Sequence, residues 1–561
     1  MTAVSETAAR DALAPFFIRA LTVAVALALL ALVFRPDGHV YDMPLTEDGY
    51  YALSVARNLA AGHGLSIDGV TLTNGFQPLF TIIEAGAFAM AGDDEILAMR
   101  LVMLFAWLFH AAGALTVALV ARDAWPVRWG EAERASRAWV AAFLYLAAPL
   151  MLNHAYNGLE TGCVMFFYAA CWRWMQTGRD ESLSGLAGFG VLIGLMVLAR
   201  IDAAFMALAL GLNELRQSWT RGFGAILLRG AVLGGTALLV SSPWWIYNTV
   251  AFGSPMPTSG TAQQAWALEW LRLEFAEWAL RLVAFPWLFA GAHEGAVDLW
   301  MRWPFGPAGQ IQVTAIGVVR TLVLAAIGVA LWRWWRGGGP KADLAPADAA
   351  QRAHTARTLE FTACFVAAQG ALIVYYTLSF TAYWFFYRYF APIALLVFVI
   401  APILWARLAA APSSRAHMAA NIVAAALAVQ VIALAVMAQT GRGLGGNTVY
   451  HDQVALVRAH VPAQDFVAAG QSGTLGFFRD RVINTDGKVN RAALAHQDRM
   501  WDYLRAQGVR WFVDWPHYVN KYLGVPLDAN ERPVTAANGW RFVAERNYFY
   551  LYEYVGPNEA E

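Results

Sequence analysis

ILAMRLVMLFAWLFHAAGALTVALVA, residues 96–121, carries a single arginine in an otherwise apolar and small-residue run. A helix must cross about 30 Å of hydrocarbon at about 1.5 Å per residue, so a block near 20 residues crosses once, its backbone polar groups satisfied internally. Outward from this block, comparable runs fall near 16–34, 138–152, 161–176, 184–199, 203–215, 223–249, 317–335, 358–379, 389–406 and 417–438. The chain of 561 residues is 58% hydrophobic and 14% charged. That composition belongs to a mainly α, polytopic membrane protein, here of about eleven transmembrane helices. Formal net charge is zero, so no overall field favours nucleic acid or another polyanion.

Charge sets the orientation. Alternating sides gathers Arg122, Arg128, Arg134 and Arg137, then Arg216 and Arg221, then Arg333, Arg336, Lys341, Arg352 and Arg357, on the side of the N-terminus. By the positive-inside bias that side is cytoplasmic. The opposite set is extracytoplasmic: the first loop at 35–95, the turn at 153–160, the long loop at 251–316, the turn at 383–388 and everything after 439. The run at 16–34, behind Arg10 and Arg19, reads as a retained anchor rather than a cleaved signal, because further spans follow. The expected setting is a bacterial inner membrane, with the N-terminus cytoplasmic.

Residues 1–440 form the membrane domain. Past 441 hydrophobicity drops, and short β-rich runs at 466–469, 481–484, 511–514 and 548–554 alternate with helical patterns, the mark of a small α/β domain at 441–561. Gly337, Gly338, Gly339 and Pro340 open a flexible linker at 336–350. The segment 266–287, rich in Trp, Leu and Glu, reads as an amphipathic helix at the outer interface, an anchor or a guide for a lipid tail. Cys163, Cys171 and Cys364 all fall in apolar blocks without metal-ligand spacing and read as buried small hydrophobes. His63 and His154 stand alone and read as structural or interfacial. No metal site follows.

The first extracytoplasmic loop is the most informative, EDGYYALSVARNLAAGHGLSIDGVTLTNGFQPL at 47–79. Two adjacent carboxylates, Glu47 and Asp48, sit just beyond a membrane span. A carboxylate at an apolar boundary holds its proton more tightly than in water and suits a general base toward a sugar hydroxyl. The plainer reading makes Asp48 the N-cap of a helix over 50–59.

This loop resembles the first loop of the GT-C superfamily, membrane glycosyltransferases that use polyprenyl-phosphate or polyprenyl-diphosphate sugars, in the form found in family-39-like members. The arabinofuranosyltransferases and the lipid A aminoarabinose transferase are more distant. Downstream, Asn157-Gly158-Leu159-Glu160-Thr161 resembles the family's SGLET loop, and Ala199-Arg200-Ile201-Asp202 its TRPD turn. Phe252-Gly253-Ser254-Pro255-Met256-Pro257 resembles GSPxP, Tyr387-Arg388-Tyr389-Phe390-Ala391-Pro392 resembles RYLxP, and the run 482–490, VINTDGKVN, resembles the soluble domain. The match rests on the order of these elements. Gln77 stands where related sequences often carry His, and the acidic pair begins with Glu rather than Asp.

The resemblance implies an inverting transfer of one sugar from a polyprenyl-phosphate donor to an envelope lipid, glycan or protein. It implies Asp48 as base, with Glu47 positioning it or binding a divalent ion through oxygen, and no required cofactor. Arg57, Arg200 and Arg388 are candidates for the phosphate, since guanidinium forks match phosphate oxygens. Arg200 reads equally as an ion-pair partner of Asp202 at a span end, Arg388 as an interfacial arginine in an aromatic belt, and Arg57 as a surface helix residue. Asn74, Gln77, Glu160 and Asp202 are candidates for sugar or acceptor. The soluble domain reads as a cap or acceptor-binding element. A transporter or flippase, and a scaffold without activity, are the other classes the sequence leaves open. Donor sugar and acceptor are not written in it.

Overall fold

The computed structural model describes residues 2–124, 131–262, 349–379, 386–410, 414–440, 447–530, 532–533 and 536–556. The span expected at 317–335, the amphipathic helix at 266–287 and all but the end of the linker at 336–350 lie outside the described residues.

The chain is mainly helical with a small C-terminal sheet. Four of the described helices are long and apolar enough to cross a membrane: Phe16–Phe34, Glu95–Asp123, Phe223–Phe252 and Arg352–Tyr376. The blocks at 161–176, 184–199 and 203–215 form shorter helices, α7 (Thr161–Gln176), α8 (Leu183–Ala199) and α9 (Ala204–Trp219). The block at 138–152 is two elements. Pro149 holds Ala148 in extended backbone, which ends α5 (Glu131–Ala147) and opens α6 (Pro149–Ala155). Arg134 and Arg137, expected in a connection, lie inside α5, and Arg137 is buried.

α4 (Glu95–Asp123) packs on α5 and α7, and α8 packs on α10 (Phe223–Phe252). Trp172 of α7 stacks on Phe361 of helix Ala349–Ser379 with ring centroids 4.9 Å apart. α1 (Thr2–Leu30) lies against α5 and helix Ser414–Gln439. Leu238, Leu239, Ile246 and Val250 of α10 are exposed, the surface a lipid-facing helix presents. Connections grouped by the charge bias meet one another: Arg357 pairs with Glu181, and Arg216 with Glu360 at 3.0 Å. The opposite connections meet at the other end of the bundle, where the expected first loop folds into α2 (Glu47–Ala60) and α3 (Pro78–Ala91).

The C-terminal sheet has strand order β2-β1-β3-β6-β5-β4. β1 (Val467–Ala469) pairs in parallel with β2 (Val482–Asn484) and β3 (Trp511–Asp514), and all three are buried throughout, as parallel strands covered on both faces must be. β6 (Phe549–Tyr554) runs antiparallel to β3 and to β5 (Trp540–Arg546), and the short β4 (Ala536–Ala537) closes the edge. Since β1 has β2 on one side and β3 on the other, the carboxyl ends of these strands frame a crevice. That crevice faces α2.

Candidate active site

α2 begins at Glu47, behind Thr46 as N-cap, so Asp48 is inside the first turn rather than the cap. Gly49 lets the helix lie against the 157–160 turn: a Cβ there would come within 2.1 Å of the Asn157 carbonyl oxygen. Across the same contact the Thr46 amide donates to that oxygen at 3.2 Å. Gly158 takes φ +78, which glycine adopts without strain, and the turn delivers Glu160 to the start of α7.

α8 ends at Arg200 in extended backbone, so the chain turns a corner before α9 and holds Arg200 and Asp202 side by side. The buried Arg200 guanidinium is clasped by two carboxylates. Its Nη1 donates to Glu160 Oε1 at 3.0 Å, and its Nε to Asp202 Oδ1 and Oδ2 at 2.8 and 2.9 Å. Tyr376 donates to Asp202 Oδ2 at 2.7 Å, and the Tyr389 ring lies 4.3 Å from the guanidinium carbon. Gln77 Oε1 accepts from the Ile201 amide at 3.0 Å and fixes the corner to the first loop.

Beside this cluster is a cavity of about 420 Å³. Asp48, Glu160, Arg200, Asp202, Arg388 and Lys488 supply its charge. Phe76, Phe80, Phe205, Trp245 and Tyr375 form apolar walls. The Asp48 side chain is 24% exposed, and its Oδ2 accepts from Arg388 Nη1 at 3.1 Å. Lys488 enters from the C-terminal sheet domain, after β2. Its Nζ is 3.4 Å from Asp486 Oδ2, and its backbone is pressed against Gly75, where a Cβ would meet the Lys488 carbonyl oxygen at 2.1 Å. Burial works against the Lys488 charge, but Asp486 and then Asp48 outweigh it, so the ammonium is held above the ordinary lysine value.

Glu47 points the other way, into the crevice of the sheet. Its carboxylate accepts from the Gly473 amide at 2.5 Å, the Thr474 amide at 2.8 Å and the Thr474 hydroxyl at 2.5 Å. Burial pushes the Glu47 carboxyl up to about 7 against the pull of these donors, with Asp48 adding to the rise. Tyr51, one turn on, donates to the Gly470 carbonyl at 3.1 Å and accepts from the Ser472 amide at 3.1 Å and from Asn484 Nδ2 at 3.3 Å.

Of the residues singled out in the sequence, Asp48, Glu160, Arg200, Asp202, Arg388 and Gln77 all line the one cavity. The others do not. Glu47 is spent on residues 473–474. Asn74 is fully buried, accepting from the Thr258 amide at 2.9 Å and its hydroxyl at 2.6 Å while donating to Asn248 at 3.2 Å, so it ties the first loop to the turn after α10. Arg57 lies over the Phe477 ring at 4.5 Å and pairs with Glu95 at 3.5 Å, away from the cavity. For Arg200 the ion-pair reading is the arrangement seen, with Glu160 as a second acid. The three cysteines are free and buried, His154 is buried in α6, and His63 is exposed. Among the described residues no group of three or more His, Cys, Asp or Glu gathers as metal ligands would. Lys488, Tyr376 and Tyr389 also line the cavity, and sequence reasoning does not single them out as site residues. The sequence signals for Lys488 are its place in the 482–490 run and after the Asp486-Gly487 turn, neither of which gives it a role.

Fold and site define a helical protein with long apolar helices and an amphiphilic, charge-lined cavity bordered by the C-terminal sheet domain. No family model and no curated protein matches the chain. Among solved structures it is similar to ArnT from Cupriavidus metallidurans bound to undecaprenyl phosphate, at 16% identity over 96% of this chain and 98% of that one, TM-score 0.48. It is also similar to the archaeal oligosaccharyltransferase AglB from Archaeoglobus fulgidus in complex with an inhibitory peptide and a dolichol-phosphate, at 14% identity over 95% and 74%, TM-score 0.47. The apo form of the Archaeoglobus fulgidus oligosaccharyltransferase gives 14% identity over 89% and 69%, TM-score 0.46.

Proposed function

We propose that this protein is an inverting glycosyltransferase that moves one sugar from a polyprenyl-phosphate donor to an envelope acceptor on the extracytoplasmic side of a bacterial inner membrane. The reading includes about eleven spans over 1–440, a cytoplasmic N-terminus and a soluble domain at 441–561 on the far side. One observation carries it: Asp48, a partly exposed carboxylate, shares a single cavity with cationic side chains and aromatic walls. A lipid-linked sugar phosphate has matching parts, an apolar tail, an anionic link and a hydroxylated ring.

In the transfer, Asp48 takes the proton of the acceptor hydroxyl as its oxygen attacks the anomeric carbon. The bond from that carbon to the phosphate oxygen breaks, the electron pair leaves with the polyprenyl phosphate, and configuration inverts. Arg388, within reach of both Asp48 and the cavity, turns to the departing phosphate. Arg200, held by two carboxylates, sets the shape and charge of the cavity floor. A divalent cation at the phosphate is tested by running the assay with and without chelator. The nature of the sugar, hexose or pentose, is decided by the donor panel.

The test is transfer from radiolabelled polyprenyl-phosphate sugars by the purified protein in lipid. Asp48→Asn should lower the rate by about 10²- to 10⁴-fold, the range of a general base, with folding and donor binding retained. Undiminished transfer in Asp48→Asn would remove Asp48 as base, and no transfer from any donor by wild type would return the transporter and scaffold classes.

A further inference from the structure

The soluble domain does more than roof the cavity. Lys488 follows β2, at the carboxyl end of the parallel strands, where α/β sheets present ligand-binding loops. The loop that carries it is held by its own hydrogen bonds. Asn484 Oδ1 accepts from the Gly487 amide at 3.1 Å, Asp486 Oδ1 accepts from the Lys488 amide at 2.8 Å, and Asn490 donates to the Asn484 carbonyl at 3.1 Å. Gly487 takes φ +80, and a Cβ there would strike Leu494 at 2.9 Å. Asp486 itself is buried. Gly75 then lets the first loop close on the Lys488 carbonyl, which fixes where the side chain enters the cavity.

Its charge is placed differently from that of Arg200. The Arg200 guanidinium faces two carboxylates at 2.8–3.0 Å, and an incoming phosphate would have to compete with both. An ammonium has three donors on a flexible stem, and the Asp486 carboxylate lies at 3.4 Å. Asp486 and Asp48 both act on this ammonium, and its donors can be shared with an oxyanion that enters the cavity it lines. It also lines the same cavity as Arg388 and Asp48, so two cations from opposite bodies, one from the membrane helices and one from the sheet, border the space where the base works.

We infer that Lys488 is a phosphate-binding residue of this cavity, delivered by the soluble domain, which completes with Arg388 a two-sided clamp for the phosphate of a lipid ligand. The inference rests on the transferase reading for the choice of that lipid. A docked domain therefore makes the cavity competent for phosphate, and an undocked one removes half of the clamp.

The experiment measures binding of undecaprenyl phosphate, undecaprenol and phosphatidic acid to the full chain in phosphatidylcholine nanodiscs, for wild type, Lys488→Gln and Lys488→Arg. One lost charge-assisted hydrogen bond corresponds to about a ten- to hundredfold weaker affinity. Lys488→Gln should weaken undecaprenyl phosphate by that factor and leave undecaprenol unchanged, and Lys488→Arg should stay within about threefold of wild type by the same measure. Preference for undecaprenyl phosphate over phosphatidic acid assigns the clamp to the donor lipid, and an equal Lys488 dependence for both assigns it to lipid phosphate in general. Unchanged affinity for both in Lys488→Gln, with the unfolding temperature preserved, overturns the role of Lys488 alone. A wild type that binds no undecaprenyl phosphate overturns the donor reading and this inference with it.

Discussion

Removing the Glu47 carboxylate by Glu47→Ala should loosen the soluble domain from the membrane helices by a few kcal/mol. Three donors, the Gly473 amide and the Thr474 amide and hydroxyl, then lose their acceptor in a buried place. At about 1–3 kcal/mol per orphaned group the gross loss is about 3–9 kcal/mol. Against it stands the cost of keeping the carboxylate out of water: a rise from 4.5 to about 7 corresponds to about 3 kcal/mol above pH 7. The docked carboxyl lies above its free value, so the docked state binds the proton more tightly. The proton-linked part of Glu47's contribution, about 3 kcal/mol, is therefore fully present below about pH 4.5 and is lost as pH rises through about 7. Hydrogen exchange across 473–478 in nanodiscs, corrected for intrinsic rates, reads the opening free energy directly. Wild type should show firmer protection at pH 5 than at pH 8, and Glu47→Ala should lose protection and most of that pH slope. Exchange within twofold of wild type at both pH values would refute the account.

Asp514 is pushed up to about 7 by burial, against donors from Trp515, Gly470 and Gln471, so the soluble domain itself should unfold at a higher temperature at pH 5 than at pH 8, and Asp514→Asn should flatten that difference. Arg200→Met strands Glu160 and Asp202 and should cost about 3–5 kcal/mol of stability, seen as a lower unfolding temperature than Arg388→Met gives. Gly75→Ala drives a Cβ into the Lys488 carbonyl, a backbone atom that cannot swing away, and should abolish transfer while helical circular dichroism stays at the wild-type level. Arg57→Ala should change transfer less than about twofold, because its pairing with Glu95 is long and partly exposed and lies outside the cavity.

Much of the helical framework was legible because apolar blocks report burial in lipid without needing a partner. Three of the soluble strands begin one residue later than their sequence runs, and the fourth, 511–514, coincides, since β-branched and aromatic residues concentrate there. β5, WRFVAER, carries charges along a half-exposed strand and gave no such signal. The break at Pro149 was readable in principle, but the continuous hydropathy around it hid the turn. At the site, the charged residues of the short turns between helices could be picked out one at a time, since charges at span ends are few. Their pairings could not: the partner of Asp48 is 340 residues away and that of Glu47 is 426 and 427 residues away. Lys488 was hidden for the same reason. Its local sequence describes a turn, and only the approach of Gly75 makes that turn a cavity wall.

The adjacent acids at the start of α2 show how one short motif comes to serve two bodies. Successive residues of a helix are about 100° apart, so Glu47 and Asp48 cannot face the same neighbour, whereas residues four apart lie on one face. Glu47 and Tyr51 make such a pair, and both hold residues 470–474 of the sheet crevice. Asp48 and Ala52 make the next pair, and both line the cavity. Docking and chemistry are thus set on neighbouring stripes of the same turn, with Tyr51 bordering both. A displacement of the soluble domain that rotated or frayed this turn would move Asp48 relative to Arg388 at the same time as it withdrew Lys488. Coupling between the two bodies then needs no long pathway, because both ends of it are written within residues 47–52.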